Sequence, residues 1–587
     1  MTAESRIQDH LTFLYGKETS KAVWPQLRRS LEEFRHRNSR LLERTAIPAE
    51  SLTERDAFLI TYGDQIREPG QPPLQTLAEF LNKYLTKAVS GVHLLPFFPY
   101  SSDDGFSVID YRRIDPELGT WGDIGSIGRN FRLMFDAVIN HISSQSAWFR
   151  GFLHGQAPYV DYFITEDPST DLSAVVRPRA APLLTSFDTV SGPRHVWTTF
   201  SSDQIDLNYA NPQVLLEIID LLLFYVEHGA EIIRLDAIAY LWKERGTSCI
   251  HLPQTHRVVK LFRAIMESVA PGVLLLTETN VPHEENVSYF GEPRPGTGHY
   301  DEAQMVYQFP LAPLLLHAFH MGCARDLTAW ASTLKSPAPA CTFFNFTASH
   351  DGIGLMPLRG LVQEGAVQAL IERTLALGGK VSYKTNPDGS QSVYELNITL
   401  FDALNDPREP QPDKDTRRFL ASQVVMLSLA GVPGIYIHSL FGSRNFHQGV
   451  LATGRARSIN REKFQRASLE DELAQADSLK HKVFSGYRHL LQQRRKHPAF
   501  HPNGEQRVLP LHEALFTLVR TAPAGEETIL CLVNVSQNPQ SVQILPAEWG
   551  LPEKNIWRDL IGALDYPVKG ERLSISVEPY QALWLYA

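Results

Sequence analysis

The segment AEIIRLDAIAY, residues 230–240, is the stretch from which the fold can be worked out. It opens as an apolar run and reaches a charged residue, Asp236, before a helix-like segment follows. Six further runs share this form: FLITYG (58–63), VHLLPFFP (92–99), RLMFDAVINH (132–141), GVLLLTETN (272–280), CTFFNFTASHD (341–351) and GVPGIYI (431–437). Such runs between helical patterns predict repeated βα units around a parallel sheet. Because polar residues end at least five of the runs, we predict an α/β fold of the (β/α)₈ barrel type.

The rest of the chain falls into segments with different patterns. Leu, Arg and Glu dominate the first residues, and alternating apolar positions dominate the last, which predicts helices and an antiparallel sheet respectively. The predicted organisation is a helical N-terminal extension of two or three helices (1–55), the barrel (56–140 and 209–495), an inserted domain after the third strand (141–208), a loop-rich insertion within the barrel (355–417) and a C-terminal β domain (496–587).

Composition excludes several classes of function. The chain has 587 residues, which is too long for a single small binding module, and its formal net charge of −9 disfavours nucleic acid and anionic membranes as partners. The four cysteines form no CxxC pair, and the N-terminus lacks the pattern of a secretory signal, so we expect a cytoplasmic protein. The apolar segment 424–440 contains Gly431 and Pro433 and is short for a bilayer span.

Three carboxylates carry the functional prediction. Asp236, Glu278 and Asp351 each follow an apolar run, so each is expected at the C-terminal end of a barrel strand, in one shared pocket. Cleavage of a glycosidic bond needs one carboxylate at the anomeric carbon and one protonated acid at the leaving oxygen. Arg234, two residues before Asp236, is expected to keep that carboxylate ionised, whereas Glu278 needs a raised pKa to act as the acid.

Four motifs in order resemble the α-amylase superfamily, which is family 13 of the glycoside hydrolases: DAVINH (136–141), RLDAIAY (234–240), TETN (277–280) and FTASHD (346–351). The resemblance implies Asp236 as nucleophile, Glu278 as general acid/base and Asp351 as stabiliser of the transition state. It also implies residues that hold the donor glucose. These are the histidines His141 and His350, a pair formed by Arg457 with Asp103 or its neighbour Asp104, an aromatic platform at Phe106 and a wall residue at Tyr240.

Three longer segments resemble the sucrose phosphorylase group within that superfamily, namely residues 98–124, 243–256 and 431–445. This resemblance implies that phosphate, and not water, attacks a covalent glucosyl intermediate. The candidate phosphate ligands are Tyr394 and the two arginines of VVRPRAAP, Arg177 and Arg179, of which Arg179 is the closer match to a phosphate-binding arginine of the group. Arginine suits phosphate because its planar fork binds two oxygens. Glu395 stands where sucrose-specific members carry Gln, which argues against sucrose as the substrate.

The chain resembles phosphorylases of 2-O-α-glucosyl-D-glycerate in its helical extension and in the segments ITYGDQ (60–65), PLRGL (357–361) and SRN (443–445). The implied reaction is cleavage of that glucoside by inorganic phosphate to α-D-glucose 1-phosphate and D-glycerate, by double displacement. An anionic acceptor requires a nearby cation, for which Arg359 and Lys384 are the candidates. Sucrose, sucrose 6-phosphate and glucosylglycerol are the alternative substrates.

Two rival functions are weighed against phosphorolysis. The first is an amylase-like hydrolase or transglucosylase, which phosphate dependence would distinguish. The second is a non-catalytic sugar-binding protein, which the three intact acids disfavour. The sequence predicts no cofactor and no metal, since no cluster of histidines and cysteines has ligand spacing. It leaves a monomer and a homodimer open.

Overall fold

Eight parallel strands close into a barrel in a computed structural model of the chain, which describes residues 2–39, 52–386 and 388–587. The strands are β1 (Phe58–Thr61), β2 (Gly91–Leu94), β3 (Arg132–Ala137), β4 (Ala230–Leu235), β5 (Leu274–Thr277), β6 (Met305–Tyr307), β7 (Thr342–Phe346) and β8 (Val432–Tyr436). β1 pairs with both β2 and β8, so Phe58 lies between Gly91 and Gly434 and the sheet has no edge. The predicted (β/α)₈ barrel is confirmed.

The barrel strands are short and buried over nearly their whole length. β1, β2, β5, β7 and β8 have no residue exposed to solvent, because one face of each strand fills the barrel and the other packs against helices. Glycine serves two of the closest approaches: a Cβ at Gly91 would lie 2.2 Å from the Phe58 ring, and one at Gly434 would lie 2.4 Å from the Phe344 ring. Polar residues follow the strands at one end, which is where the site forms.

Sixteen α-helices are defined in the described residues. They are α1 (Ala3–Arg37), α2 (Pro73–Tyr84), α3 (Trp121–Gly128), α4 (Ala147–Leu153), α5 (Pro212–Glu227), α6 (Pro253–Val269), α7 (His283–Val287), α8 (Leu311–Met321), α9 (Arg325–Thr333), α10 (Glu364–Ala376), α11 (Leu400–Leu404), α12 (Pro412–Ser428), α13 (Ile437–Leu440), α14 (His447–Thr453), α15 (Arg466–Ala474) and α16 (Leu479–Arg494). None of these helices combines the length and the apolar character needed to cross a membrane.

The described part of the N-terminal extension, for which two or three helices were expected, consists of two helical segments that meet at a break within α1. Gly16 has φ of 78° inside α1, which divides it into two helical segments. The element packs on the outside of the barrel against α6, where Arg6 forms a 2.7 Å salt bridge with Glu267. Tyr15 donates a hydrogen bond to the carbonyl of Tyr209 near the start of α5. The predicted extension also covers residues 40–51, which lie outside the described residues.

Two insertions rise from the barrel end that carries the acids. Residues 141–208 contain α4 and two small antiparallel pairs, His141–Ser143 with Gln204–Asp206 and Leu184–Thr189 with Gly192–Trp197. The second insertion, expected to be rich in loops, instead contains α10, α11 and a hairpin of strands Lys380–Thr385 and Gln391–Asn397. The expectation of a loop-rich segment was wrong here. The turn residues of KTNPDGSQS suggested a loop, but the residues on both sides of them form regular secondary structure.

The C-terminal region forms an eight-stranded antiparallel sheet. Its strands are β9 (Glu505–Val508), β10 (Leu515–Thr521), β11 (Thr528–Asn534), β12 (Gln540–Ile544), β13 (Ile556–Asp559), β14 (Asp565–Lys569), β15 (Arg572–Val577) and β16 (Ala582–Tyr586), in the order β9-β10-β11-β16-β13-β14-β15-β12. The buried indole of Trp584 donates a hydrogen bond of 2.8 Å to Ser428 of α12, which ties the sheet to the barrel.

Candidate active site

The three predicted acids lie around one cavity at the C-terminal ends of the strands. Asp236 follows β4, Glu278 follows β5 and Asp351 lies beyond β7, and all three line the same cavity. Arg234 holds two of them, because its Nη1 lies 2.7 Å from Asp236 and its Nη2 lies 3.9 Å from Glu278. Arg234 is itself fixed by Asp136, its register partner on β3, at 2.5 Å. The acids therefore converge as the sequence predicts.

Burial sets the protonation of two of the acids. Burial raises the pKa of Asp236 to about 6, against the opposing effect of the Arg234 cation. Burial raises the pKa of Glu278 further, to about 7, because the same cation is more distant and the Asp236 and Asp351 charges are close. The Ala237 N–H also donates to Glu278 over 2.9 Å and fixes its position. Near neutral pH this order favours an ionised Asp236 beside a protonated Glu278.

Asp351 has the opposite electrostatic setting. Burial by itself would raise its pKa, but the guanidinium groups of Arg457 and Arg461 hold the pKa well below its usual range. Arg457 lies 2.5 Å from Asp351 and also donates two hydrogen bonds, of 2.9 and 2.8 Å, to the buried carboxylate of Glu395. Arg457 thus clamps two carboxylates and keeps Asp351 charged at the rim of the cavity.

The ion pairs at the far end of the cavity differ from the predicted pair of Asp103 and Arg457. Asp103 lines the cavity, but Arg457 is occupied by Asp351 and Glu395. Arg461, four residues later, forms the salt bridge to Asp104 and lies 3.8 Å from Asp103. The prediction that Arg457 pairs with Asp103 is therefore wrong in this structure. Arg457 and Arg461 come from one short helical turn, Ala456–Asn460 and the residue after it, and the two side chains reach different carboxylates.

Aromatic and imidazole rings form the apolar wall of the cavity. Phe106 stacks on His350 with ring centroids 4.6 Å apart and an interplanar angle of 1°. His141 donates from Nε2 to the carbonyl of Phe106 over 2.9 Å, and burial lowers the pKa of both histidines, that of His350 to about 3. Both rings are therefore neutral at pH 7. Tyr240, the predicted wall residue, also lines the cavity.

Only one of the two predicted phosphate arginines reaches the cavity. Arg179 lines it, with its guanidinium 5.3 Å from the centre of the Tyr394 ring. Arg177 instead donates to the carbonyl of Ala181 and is absent from the cavity wall. Tyr394 lies on the hairpin strand Gln391–Asn397, where its hydroxyl accepts a hydrogen bond of 3.2 Å from Asn280. Arg179 and Tyr394 thus form a joint wall from two insertions.

The two predicted acceptor cations lie outside the lining of this cavity. Arg359 is exposed after a short helical turn, and Lys384 is half-buried on the hairpin strand Lys380–Thr385. Burial, together with the nearby Arg359 cation, lowers the pKa of Lys384. The Lys384 ammonium and the Arg359 guanidinium are therefore close enough to interact electrostatically.

Sequence reasoning missed several residues of the site. Phe200, Gln204, Asn280 and Phe309 line the cavity, and Gln204 donates to the carbonyl of Phe106 over 2.9 Å. Asn280 carried a signal, because it is the last residue of the TETN motif. Gln204 begins the short strand Gln204–Asp206, and Phe200 and Phe309 lie in irregular segments, so no periodicity marks which of these side chains turn inward.

A buried lysine supports the floor of the inserted domain. Lys243 lies 2.6 Å from Asp206 and donates a 2.8 Å hydrogen bond to Asn140. Within residues 2–39, 52–386 and 388–587, no group of three His, Cys, Asp or Glu side chains is arranged to hold a metal ion. The Lys243 ammonium neutralises Asp206 in this position.

The chain matches known proteins along its whole length. A family model described as the alpha-amylase catalytic domain matches residues 74–352. The glucosylglycerate phosphorylase of Spirochaeta thermophila is 50% identical over 590 residues, which covers 100% of this chain and 99% of that protein. The glucosylglycerate phosphorylase of Escherichia coli is 43% identical, over 99% and 100% of the two chains.

A solved structure shares the fold. The crystal structure of sucrose 6F-phosphate phosphorylase from Thermoanaerobacter thermosaccharolyticum superposes with a TM-score of 0.71 at 24% identity, over 88% of this chain and 98% of that one. The barrel, the strand-end acids and the matching family model define a glycoside-processing member of the α-amylase class. The full-length identities add the particular branch: this chain belongs to the α-amylase family, in the group that contains the glucosylglycerate phosphorylases.

Proposed function

We propose that the protein is a retaining glycoside phosphorylase that cleaves 2-O-α-glucosyl-D-glycerate with inorganic phosphate, giving α-D-glucose 1-phosphate and D-glycerate. The observation that carries the proposal is 50% identity, over the full length of both chains, to a protein of that name. The convergence of Asp236, Glu278 and Asp351 on one cavity supports the chemistry. The presence of all three acids weighs against a non-catalytic sugar-binding protein.

In the first step, a carboxylate oxygen of Asp236 attacks the anomeric carbon and the bond to the glycerate oxygen breaks. Glu278 gives its proton to that oxygen, so D-glycerate leaves as an alcohol. Arg234 supports both roles, because it contacts Asp236 directly and reaches Glu278 only at 3.9 Å. The same cation therefore favours an ionised nucleophile more than an ionised acid.

In the second step, a phosphate oxygen attacks the anomeric carbon and the ester bond to Asp236 breaks. Glu278, now a carboxylate, accepts the proton from phosphate, and the two inversions give net retention. Asp351 stays negative through both steps because Arg457 and Arg461 stabilise its charge. Its place at the rim suits binding of sugar hydroxyls and stabilisation of the oxocarbenium-like transition state.

Arg179 is the proposed phosphate ligand. Its guanidinium lies in the cavity wall beside Tyr394 and supplies a planar fork for phosphate oxygens. Burial raises the pKa of Tyr394 to about 12, so its hydroxyl remains a proton donor at neutral pH. A cation and a hydroxyl donor at the entrance favour phosphate over water as the second nucleophile.

We propose that the positive charges of Lys384 and Arg359 attract the carboxylate of glycerate. Lys384 lies on the hairpin, and Arg359 lies on the turn before it. Replacing Lys384 with Ala should raise the KM for glucosylglycerate and leave the KM for glucosylglycerol nearly unchanged, since only the first substrate is an anion. Lys380, an exposed lysine on the same strand, is a matched control. An equal effect on both substrates would contradict a role in recognising the charge.

We also propose the cytoplasm as the place of action. All four cysteines are free, and Cys249, Cys341 and Cys531 are buried, which suits a reducing compartment.

The substrate assignment is tested with a panel of glucosylglycerate, glucosylglycerol, sucrose and sucrose 6-phosphate, each with and without inorganic phosphate. We expect glucose 1-phosphate from glucosylglycerate only when phosphate is present, and at least about tenfold lower kcat/KM for the other three substrates. Glucose release that is independent of phosphate would instead identify a hydrolase. The variant Asp236→Asn, purified and folded, is the control for contaminating activity.

A further inference from the structure

A second cavity of about 430 Å³ lies where the barrel meets the C-terminal sheet. Its walls come from α8, α10, α11 and α12 on the barrel side and from Ser536–Asn538 and Tyr580 on the side of the sheet. It shares no lining residue with the cavity that holds the catalytic acids. Its size matches that of ligand pockets, which usually enclose about 300 to 1,000 Å³.

Two guanidinium groups give this cavity its charge. Arg418, on α12, donates from Nη1 to the carbonyl of Leu404 over 2.7 Å and lies 4.5 Å from the centre of the Tyr580 ring. Its Nε is buried and has no hydrogen-bond partner among the described residues. Arg373, on α10, is exposed at the cavity mouth and forms no salt bridge within the described part of the chain. A buried donor without an acceptor is costly, so an incoming oxygen would stabilise it.

Nearby acids do not neutralise these arginines. Asp406 forms a 2.6 Å salt bridge with Arg408, and Asp326 lies 3.1 Å from His317, so both carboxylates already have partners. Burial is the main cause that lowers the pKa of His320 to about 4, and the arginine charges act in the same direction. His320 is therefore neutral at pH 7, which leaves the positive charge to Arg373 and Arg418.

Apolar side chains line one part of the remaining wall, and the polar residues His317, Ser536, Gln537 and Asn538 line another part. Phe319, Leu370 and Leu404 face the cavity together with the Tyr580 ring. A small inorganic ion would leave this surface exposed to water, whereas an organic anion would cover it and gain from the burial. The combination of a planar cation, a buried donor and an apolar wall suits an organic phosphate.

We propose that this cavity is an effector site for a small organic phosphate. Its walls adjoin both ends of the active-site hairpin: α10 ends at Ala376, shortly before strand Lys380–Thr385, and strand Gln391–Asn397 leads into α11. That second strand carries Tyr394 and Glu395 of the active site. A ligand that binds between α10 and α11 changes how the hairpin is held, and so alters phosphate binding when it favours one hairpin position.

Binding is tested by calorimetry on the Arg179→Ala enzyme, in which the proposed catalytic phosphate ligand is removed. The probes are glycerate 3-phosphate, glucose 6-phosphate and inorganic phosphate. We expect an organic phosphate to saturate one site per chain and to bind more tightly than inorganic phosphate.

Adding Arg373→Ala should weaken that binding about tenfold or more, whereas Arg417→Ala, which removes an exposed arginine of α12 outside the cavity, should not. Binding that ignores Arg373→Ala, or no saturation by either organic phosphate below about 10 mM, would overturn the proposal.

Coupling is tested by steady-state kinetics of the unmodified enzyme with the saturating probe. We expect at least a twofold change in the apparent KM for phosphate that is lost in Arg373→Ala and kept in Arg417→Ala. An unchanged KM in the unmodified enzyme would contradict the effector role. Because these measurements compare variants distant from the acids, their failure leaves the proposed reaction intact, and failure of the substrate panel leaves the binding result intact.

Discussion

The pH profile of kcat/KM for the glucoside follows from the environments of two carboxyls. Burial raises the pKa of Asp236 to about 6 and that of Glu278 to about 7. The active form carries an ionised Asp236 and a protonated Glu278. Activity should therefore fall below pH 6 as Asp236 gains a proton, and above pH 7 as Glu278 loses one.

These two values fix the size of the effect. The fraction of enzyme in the active form should be greatest between them and should fall about tenfold for each further pH unit on either side. The profile should therefore be a bell that loses at least about tenfold in activity two pH units either side of its centre. The two limbs belong to the interacting pair, because Asp236 and Glu278 influence each other's charge.

The assay is the initial rate at low glucosylglycerate and fixed phosphate. In a double-displacement reaction kcat/KM for the glucoside reports only the first half-reaction, so the ionisation of phosphate does not enter. In Glu278→Gln, measured with α-glucosyl fluoride, whose leaving group needs no acid, the alkaline limb should disappear. Glu302→Gln, which changes a buried glutamate paired with His256 outside the site, should leave both limbs in place. A flat profile from pH 5 to 9, or an alkaline limb that survives in Glu278→Gln, would refute the assignment.

Three further variants test separate contacts. Arg179→Ala should raise the KM for phosphate about tenfold or more, by loss of charge-assisted hydrogen bonds, and should affect the KM for the glucoside less; equal effects would favour a structural role. Glu395→Gln removes one of the two charge-assisted bonds to Arg457 and should lower kcat/KM about tenfold, and unchanged kinetics would show that this clamp does not position Asp351. Lys243→Met leaves a buried carboxylate unpaired and should reduce the free energy of unfolding by about 3 to 5 kcal/mol, as measured in urea, while Lys480→Met, at a more exposed ion pair, should cost under about 1 kcal/mol; similar losses in both would contradict the account.

Most of the barrel is predictable from sequence because its strands are apolar runs that end in polar residues. Seven of the runs predicted in this way correspond to barrel strands. β6 was missed because only Met305–Tyr307 pair in the sheet and glutamines, Gln304 and Gln308, flank them, so no apolar run is present. Strand pairing in the structure establishes the position of β6, because Met305 pairs with Leu276 of β5 and with Thr342 of β7.

The catalytic acids were predictable for a related reason, since strand ends fix where Asp236 and Glu278 point. The ion pairs around them were not. Arg457 and Arg461 lie one helical turn apart, and only the three-dimensional path of that segment decides which guanidinium reaches Asp351 and which reaches Asp104. Similarly, the irregular chain of the inserted domain gives no periodic signal that separates Arg179, in the cavity, from Arg177.

The central claim is a covalent glucosyl ester on Asp236, and trapping that ester tests it most directly. The Glu278→Gln enzyme is incubated with α-glucosyl fluoride in the absence of phosphate, digested and analysed by mass spectrometry. The account predicts that the peptide containing residues 230–240 gains the mass of one glucosyl unit, and that added phosphate removes this label as α-glucose 1-phosphate. A label on a different carboxylate, or no label on any peptide from an enzyme that still forms α-glucose 1-phosphate from the fluoride once phosphate is added, would contradict it.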